Sequence, residues 1–96
     1  MTVPALMLHP SDNVATAVRP LEEGEYITVF VAGRETTVML VQSVPSGHKF
    51  ALQDTPAGEK VTKYGETIGR ATVFIRAGEH VHIHNLEGLR GRGDRR

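Results

Sequence analysis

The sequence predicts an all-β domain of short strands, with one or two short helical turns. Runs of β-branched and aromatic residues alternate with glycines and prolines, a pattern typical of small barrels and sandwiches. A Gly-Glu dipeptide also recurs at 24–25, 58–59 and 78–79, each time two positions before an apolar residue. We interpret this repeat as a tight turn, in which glycine adopts a positive φ, that leads into a strand of a pseudo-symmetric fold.

Two adjacent runs, at 25–32 and 36–44, are rich in strand-forming residues and are separated by a Gly-Arg-Glu turn. They predict a β-hairpin. Further short strands are predicted at 50–52, 71–75 and 81–83.

The one helical prediction falls on residues 11–17. Ser11 or Asp12 can cap a short helix there, and Pro20 would end it after one or two turns. Asp12 and Asn13 are good cap and turn formers, so we expect them to have a structural role, although a helix N-terminus can also bind an anion.

Size and composition limit the class of protein. The 96 residues are enough for one domain, predicted at 1–88, followed by a flexible tail rich in Arg and Gly at 89–96. The formal net charge of zero argues against a nucleic-acid-binding protein. The absence of cysteine excludes disulfides and thiolate metal sites. No signal peptide or membrane-spanning run is recognised, so we expect a cytoplasmic protein that does not contact membranes.

Three histidines, His80, His82 and His84, alternate with Val81 and Ile83. On a strand, alternate side chains share one face, so the imidazoles would lie together while Val81 and Ile83 face the core. Neighbouring imidazoles on that face are near enough to bind one ion, and imidazole suits Zn, Fe, Cu and Ni. The alternative is a polar strand face that happens to use histidine.

A second polar segment lies at 46–49. Gly47 allows close backbone approach, His48 can act as an acid, a base or a ligand, and Lys49 can hold a carboxylate or phosphate. The alternative is a loop with exposed polar residues.

The segment 63–69 is not a nucleotide-binding loop, because it lacks the required Gly-Lys-Ser/Thr pattern. Lys63 can bind a ligand or point to solvent, whereas for Tyr64 a structural role in packing is the better interpretation. Asn85 has the opposite parity to the histidines and is interpreted as a strand-ending or turn-forming residue.

The chain has neither a nucleophile elbow nor a Ser/His/Asp order, and no pair of carboxylates has the spacing used in acid–base catalysis. The polar residues therefore predict part of an active site that another component completes.

The polar segments carry a family resemblance. Residues 47–52, 58–71 and 75–86 closely resemble, in order, the N-terminal module of altronate and galactarate dehydratases, and residues 9–15 resemble its opening. That module is similar to the SAF domain, a β-clip fold shared with type III antifreeze proteins and with the C-terminal domain of sialic acid synthases. The repeated Gly-Glu turns are compatible with such a fold.

The resemblance implies a small, non-autonomous subunit or N-terminal domain of a lyase. Family members eliminate water, or sulfite in the sulfolactate sulfo-lyases, from 2-hydroxy acids such as altronate or galactarate. They are typically dependent on iron, so Fe²⁺ or another divalent metal is the expected cofactor. The expected partners are a large catalytic subunit and a small 2-hydroxy acid. An exposed partner-binding surface would also favour a homodimer of the isolated chain.

The resemblance also implies roles for residues at the signature positions, and His80 belongs to the signature less clearly than the others. The predicted catalytic residues are His48 and Lys49, the predicted substrate-binding residues are Lys63, Tyr64 and Asn85, and the predicted metal ligands are His82 and His84. Two other functions compete with this one. The first is a non-catalytic module that binds carboxylated sugars or a protein partner. The second, ice binding, rests on fold analogy alone.

Overall fold

The computed structural model describes residues 3–88, so residues 1–2 and the predicted tail at 89–96 lie outside the described part. Within that part every regular element is a β-strand, which confirms the all-β prediction. None of the described residues forms a helix long and apolar enough to cross a membrane. The strands are β1 (Ala5–Leu6), β2 (Val14–Ala17), β3 (Tyr26–Val31), β4 (Arg34–Met39), β5 (Lys49–Ala51), β6 (Lys60–Lys63), β7 (Glu66–Ala71), β8 (His80–Val81) and β9 (Leu86–Gly88).

The strands form three small antiparallel sheets, with orders β1-β2-β5-β8, β3-β4 and β6-β7-β9. The predicted hairpin is confirmed as β3 and β4, but its turn is Ala32 and Gly33 rather than 33–35, and its second strand ends at Met39 rather than at 44. Both turn residues have positive φ. That combination is the type I′ geometry that suits the twist of a two-residue hairpin. In the four-stranded sheet β5 lies between β2 and β8, and Phe50 pairs with both Ala15 and His80.

The core is mainly aliphatic and has two parts. The larger part surrounds Phe50, which is fully buried among residues that include Leu21, Leu40 and Val44. The smaller part contains Val61, Ala71, Ile75 and Val81. Because Phe50 and Val81 lie on the paired strands β5 and β8, both parts of the core support the strands that carry the histidines.

The tight turn occurs four times rather than three, at 21–26, 44–49, 55–60 and 75–80. In each copy the glycine has a φ between 84° and 91°, and the N–H of the next residue donates to the carbonyl three positions earlier. Isolated bridges join the copies in pairs, Leu21 to Val44 and Thr55 to Ile75. The predicted turn is confirmed, and the additional copy contains Gly47 and His48.

The helical prediction at residues 11–17 is wrong, because Val14–Ala17 is strand β2. Asp12 and Asn13 bind distant backbone instead of capping a helix. The N–H of Gly65 donates to Asp12 Oδ1 at 2.8 Å, and the N–H of Thr62 donates to Asn13 Oδ1 at 2.8 Å. These bonds join the start of β2 to the β6–β7 hairpin, and pairing with β1 and β5 then holds the segment extended.

Two strand predictions are also corrected. The predicted strand at 71–75 ends at Ala71, and Ile75 forms only an isolated bridge. The predicted strand at 81–83 ends at Val81, since residues 82–85 bend back on themselves. Ile83, expected in the core, is 84% exposed.

Candidate metal site

His48 occupies the position after the glycine of its turn, where the other three copies carry Glu25, Glu59 and Glu79. The Glu25 and Glu79 carboxylates accept hydrogen bonds from the backbone N–H three residues earlier, at 2.9 and 2.8 Å. The His48 ring instead reaches across to the neighbouring strand, where its Nδ1 lies 2.9 Å from Nε2 of His80. A histidine at this turn position therefore places an imidazole beside His80 while the glycine still forms the turn.

Three imidazoles meet at this point. The ring centroid of His48 lies 5.1 Å from that of His80 and 4.3 Å from that of His82, and the rings are stacked. One ring nitrogen from each histidine can be chosen so that all three lie within 4.8 Å of one another. We call His48, His80 and His82 the imidazole trio.

The turn at 82–85 brings His82 back to the other two histidines. The backbone N–H of His82 donates to Asn85 Oδ1, and Asn85 Nδ2 donates to the carbonyl of His80, both at 2.9 Å. Asn85 is only 1% exposed. Its prediction as a turn-forming residue is confirmed, whereas its contact with a substrate stays a prediction.

His84 lies beside the trio but outside it. Its ring is tilted by 41° against that of His80, with the centroids 5.4 Å apart. The predicted ligand pair was His82 and His84. In the structure His82 lies with His48 and His80 instead of with His84. The difference arises because the chain turns after Val81, so a strand face does not align the three alternating histidines.

The environment of His80 and His82 favours their neutral forms. Burial, followed by the nearby His48, His84, His82 and Lys49, lowers the pKa of His80. The pKa of His82 is also lowered, first by desolvation and then by His48, Lys49 and His84. The neutral ring is the form that binds a metal, so these shifts keep ligand lone pairs available at neutral pH.

Lys49 is half-buried on β5, and its pKa is lowered by burial and by the charge of Lys63. In the neighbouring strand Thr16 lies opposite Lys49, and its buried hydroxyl has no hydrogen-bond partner among the described residues. An anionic oxygen bound here would relieve the repulsion between the two lysines.

Lys63 and Tyr64 lie at the tip of the β6–β7 hairpin. Tyr64 and Gly65 form its two-residue turn with φ values of 58° and 79°, and the Lys63 Nζ lies 4.7 Å from the centre of the Tyr64 ring. Tyr64 is half exposed, and its ring packs against the Lys63 ammonium group. The substrate roles of both residues stay predictions.

The donor set of the trio fits a divalent metal. Two imidazole nitrogens that bind one tetrahedral ion at about 2.0–2.1 Å lie roughly 3.3 Å apart. The 2.9 Å separation of His48 Nδ1 and His80 Nε2 is close to that value. Three imidazoles without a thiolate or carboxylate leave positions open for a substrate or a ligand from another chain.

Sequence reasoning missed one residue at this site. Gln42 follows β4, and its Oε1 accepts a hydrogen bond from the N–H of His80 at 2.9 Å. No motif pointed to it. The repeated turn could have indicated that His48 and His80 lie close together, because each belongs to a copy of it. The copy at 44–49 was missed because His48 stands in place of the glutamate that marks the other copies.

The sequence profile and the relatives found among known proteins indicate the same family. The sequence profile described as the altronate/galactarate dehydratase SAF domain matches residues 3–89. The chain is 48% identical over 80 residues to an altronate dehydratase from Escherichia coli (strain K12), which covers 83% of this chain and 15% of the relative. It is 38% identical over 78 residues to the galactarate dehydratase (L-threo-forming) of the same strain, covering 79% of the chain and 14% of the relative.

A third relative has a similar length. The (2R)-sulfolactate sulfo-lyase subunit alpha of Chromohalobacter salexigens is 35% identical over 88 residues, which cover 88% of this chain and 94% of that subunit. The chain thus spans about a seventh of the dehydratases but nearly all of a separate subunit. The match over residues 3–89 shows that this chain belongs to the altronate/galactarate dehydratase SAF domain family.

Proposed function

We propose that the chain is the small, non-autonomous component of a lyase that eliminates water or sulfite from a 2-hydroxy acid. The observation that carries the proposal is the imidazole trio, in a chain similar to two dehydratases and a sulfo-lyase subunit. Altronate and galactarate are the proposed substrates, with sulfolactate as the sulfonate alternative.

In this proposal His48, His80 and His82 hold a divalent metal, with Fe²⁺ as the first candidate. When bound, such an ion would supply Lewis-acid stabilisation of the negative charge that develops when a proton is removed next to a carboxylate. The protein's own contribution is to present three imidazole rings, from the turn before β5, from β8 and from the turn at 82–85. His84, outside the trio, is then available to hold or donate a proton near the same site.

Lys49 is proposed to bind the substrate carboxylate. Its charge is near enough to the trio to lower the pKa values of His80 and His82, so an anion bound by Lys49 would lie near the metal ligands. Lys63 adds a second positive charge, and the half-exposed Tyr64 carries a hydroxyl at the adjacent hairpin tip. Asn85 would act through the turn that carries His82.

A large partner is proposed to complete the site. In the altronate dehydratase the matching region is 15% of a longer chain, and the sulfo-lyase relative is named as a subunit. Both arrangements combine this domain with additional protein. The partner would supply the base that removes the substrate proton and the contacts that select the acid.

The experiment is reconstitution. The tagged chain would be used to capture its partner from native lysate, and the partner, identified by mass spectrometry, would be expressed and combined with the chain and Fe²⁺. We expect elimination from altronate, galactarate or sulfolactate only when both proteins are present. Activity of the partner alone at the same rate would contradict the proposal. A complex that binds sugar acids without turnover would favour the non-catalytic binding module.

A further inference from the structure

Two side-chain amides hold the main chain of His80. Its N–H donates to Gln42 Oε1 and its carbonyl accepts from Asn85 Nδ2, both at 2.9 Å. We infer that Gln42 is a positioning residue of the imidazole trio, fixing His80 from one side while Asn85 fixes it from the other. The inference rests on the proposed metal site and deepens it.

The strand itself leaves these two backbone groups without ladder partners. β8 is a two-residue strand at the edge of its sheet, paired only with β5. The ladder bonds flank His80, since Ala51 N–H donates to the carbonyl of Glu79 and Lys49 pairs with Val81. His80 is therefore a non-hydrogen-bonded neighbour of Phe50, and its N–H and carbonyl point away from β5.

The position of Gln42 is fixed by the backbone before it. Leu40 N–H donates to the carbonyl of Glu25 at 2.8 Å, and Val41 N–H donates to the carbonyl of Gly78 at 3.0 Å. This segment also packs directly on the turn, because a Cβ on Gly78 would lie 2.1 Å from the Met39 carbonyl oxygen. Backbone hydrogen bonds to two of the four repeated turns thus place Gln42 next to His80.

Loss of Gln42 is expected to change how the His80 imidazole is oriented before a metal binds, and to leave the three ligand residues themselves unchanged. Without the Gln42 acceptor, the N–H of His80 would bond to water and the short strand would be free to rotate its imidazole away from His48. Partners that orient metal ligands typically contribute 10–100-fold to metal affinity. The exposed location of Gln42 makes its replacement compatible with folding.

The test compares three variants of the full chain. Gln42→Leu removes the acceptor, Gln42→Glu retains an acceptor oxygen, and Gln53→Leu makes the same apolar change at another exposed glutamine. Co²⁺ binding would be measured by visible absorption and Zn²⁺ binding by competition, with the thermal midpoint of each metal-free protein. We expect Gln42→Leu to weaken binding about tenfold or more with an unchanged midpoint. Gln42→Glu and Gln53→Leu should bind like the original chain.

Equal metal affinity of Gln42→Leu and the original chain would overturn the inference and leave the metal site intact. If the original chain binds neither metal, the metal site itself fails. The inference is then decided by nitrogen-15 spectra of the metal-free imidazoles. A change of the His48–His80 hydrogen-bond signals in Gln42→Leu alone would support it, and unchanged signals would overturn it.

Discussion

Nδ1 of His48 lies 2.9 Å from Nε2 of His80, although the two residues are 32 positions apart in the chain. At this distance one ring donates a proton and the other accepts it, so an ion bound by both nitrogens requires the donor ring to carry its proton on its other nitrogen. The arrangement holds two potential ligands together before any metal binds. It follows directly from the pairing of β5 with β8 and from the turn at 44–49, which carries His48.

Alanine substitution of the trio should abolish tight metal binding. We expect His48→Ala, His80→Ala and His82→Ala each to lower Zn²⁺ or Co²⁺ affinity by about 100-fold or more, since each removes a ligand. Isothermal titration calorimetry at pH 7.5 would measure the affinity. Because the rings are only partly buried, the thermal midpoint of the metal-free chain should change little.

His84→Ala and His9→Ala are the matched controls, and both should bind metal normally. The comparison also separates the trio from the ligand pair that the sequence predicted. If His82 and His84 hold the ion instead, His84→Ala would lose affinity and His48→Ala would retain it.

The sequence predicted the fold class because strand-forming runs and glycine turns are local signals. The β3–β4 hairpin and the turns at Gly24, Gly58 and Gly78 were recognised in this way. Strand β2 was not recognised, because the short polar residues at 11–13 followed by the alanines at 15 and 17 also match the start of a helix. What decides its conformation is long-range, namely the bonds from Asp12 and Asn13 to the β6–β7 hairpin.

The three histidines of the trio could be singled out from the sequence, but their approach to one another could not be predicted from it. His48 and His82 were both chosen from motifs, yet their approach depends on β5 pairing with β8 and on the reversal at 82–85. In that reversal the Asn85 side chain bonds to the backbone of both His80 and His82. Alternation on a strand could not reveal this turn, and Ile83 was consequently assigned to the core rather than to the surface.

The metal-free chain should lose stability as the pH falls from 7.5 to 5.5. The pKa values of His80 and His82 lie below their ordinary value of 6.5 in the folded chain. The unfolded chain therefore binds more protons over the interval between the folded values and 6.5, and the free energy of unfolding decreases as the pH falls through it. Urea unfolding in the presence of a chelator would measure the change.

The variant His80→Gln supplies the control for this pH dependence. It removes one of the shifted groups, so its free energy of unfolding should fall less steeply between the same two pH values. A chain that is equally stable at pH 5.5 and pH 7.5, or a variant with the same slope, would contradict the electrostatic account of the trio.

Gly78→Ala should be far more destabilising than Gly24→Ala. Both glycines have φ near 90°, so each alanine costs about 1–2 kcal/mol of backbone strain. Only at Gly78 does the added Cβ also meet backbone, at 2.1 Å from the Met39 carbonyl oxygen, whereas nothing lies within 4 Å at Gly24. Overpacking should add about 1–3 kcal/mol there. Equal losses in urea unfolding would show that the close packing of Met39 on this turn is unimportant.

Lys49→Met should reduce function without reducing stability. Methionine keeps much of the apolar stem, and it removes a cation whose pKa is lowered by burial and by Lys63. The free energy of unfolding at pH 7 should therefore be unchanged or increased. In the reconstituted lyase the KM for the acid should rise about tenfold or more, as expected for loss of a hydrogen bond to a charged group. Lys60→Met, on the exposed side of β6, should leave both quantities unchanged. A normal KM together with a clear loss of stability would instead assign Lys49 a structural role.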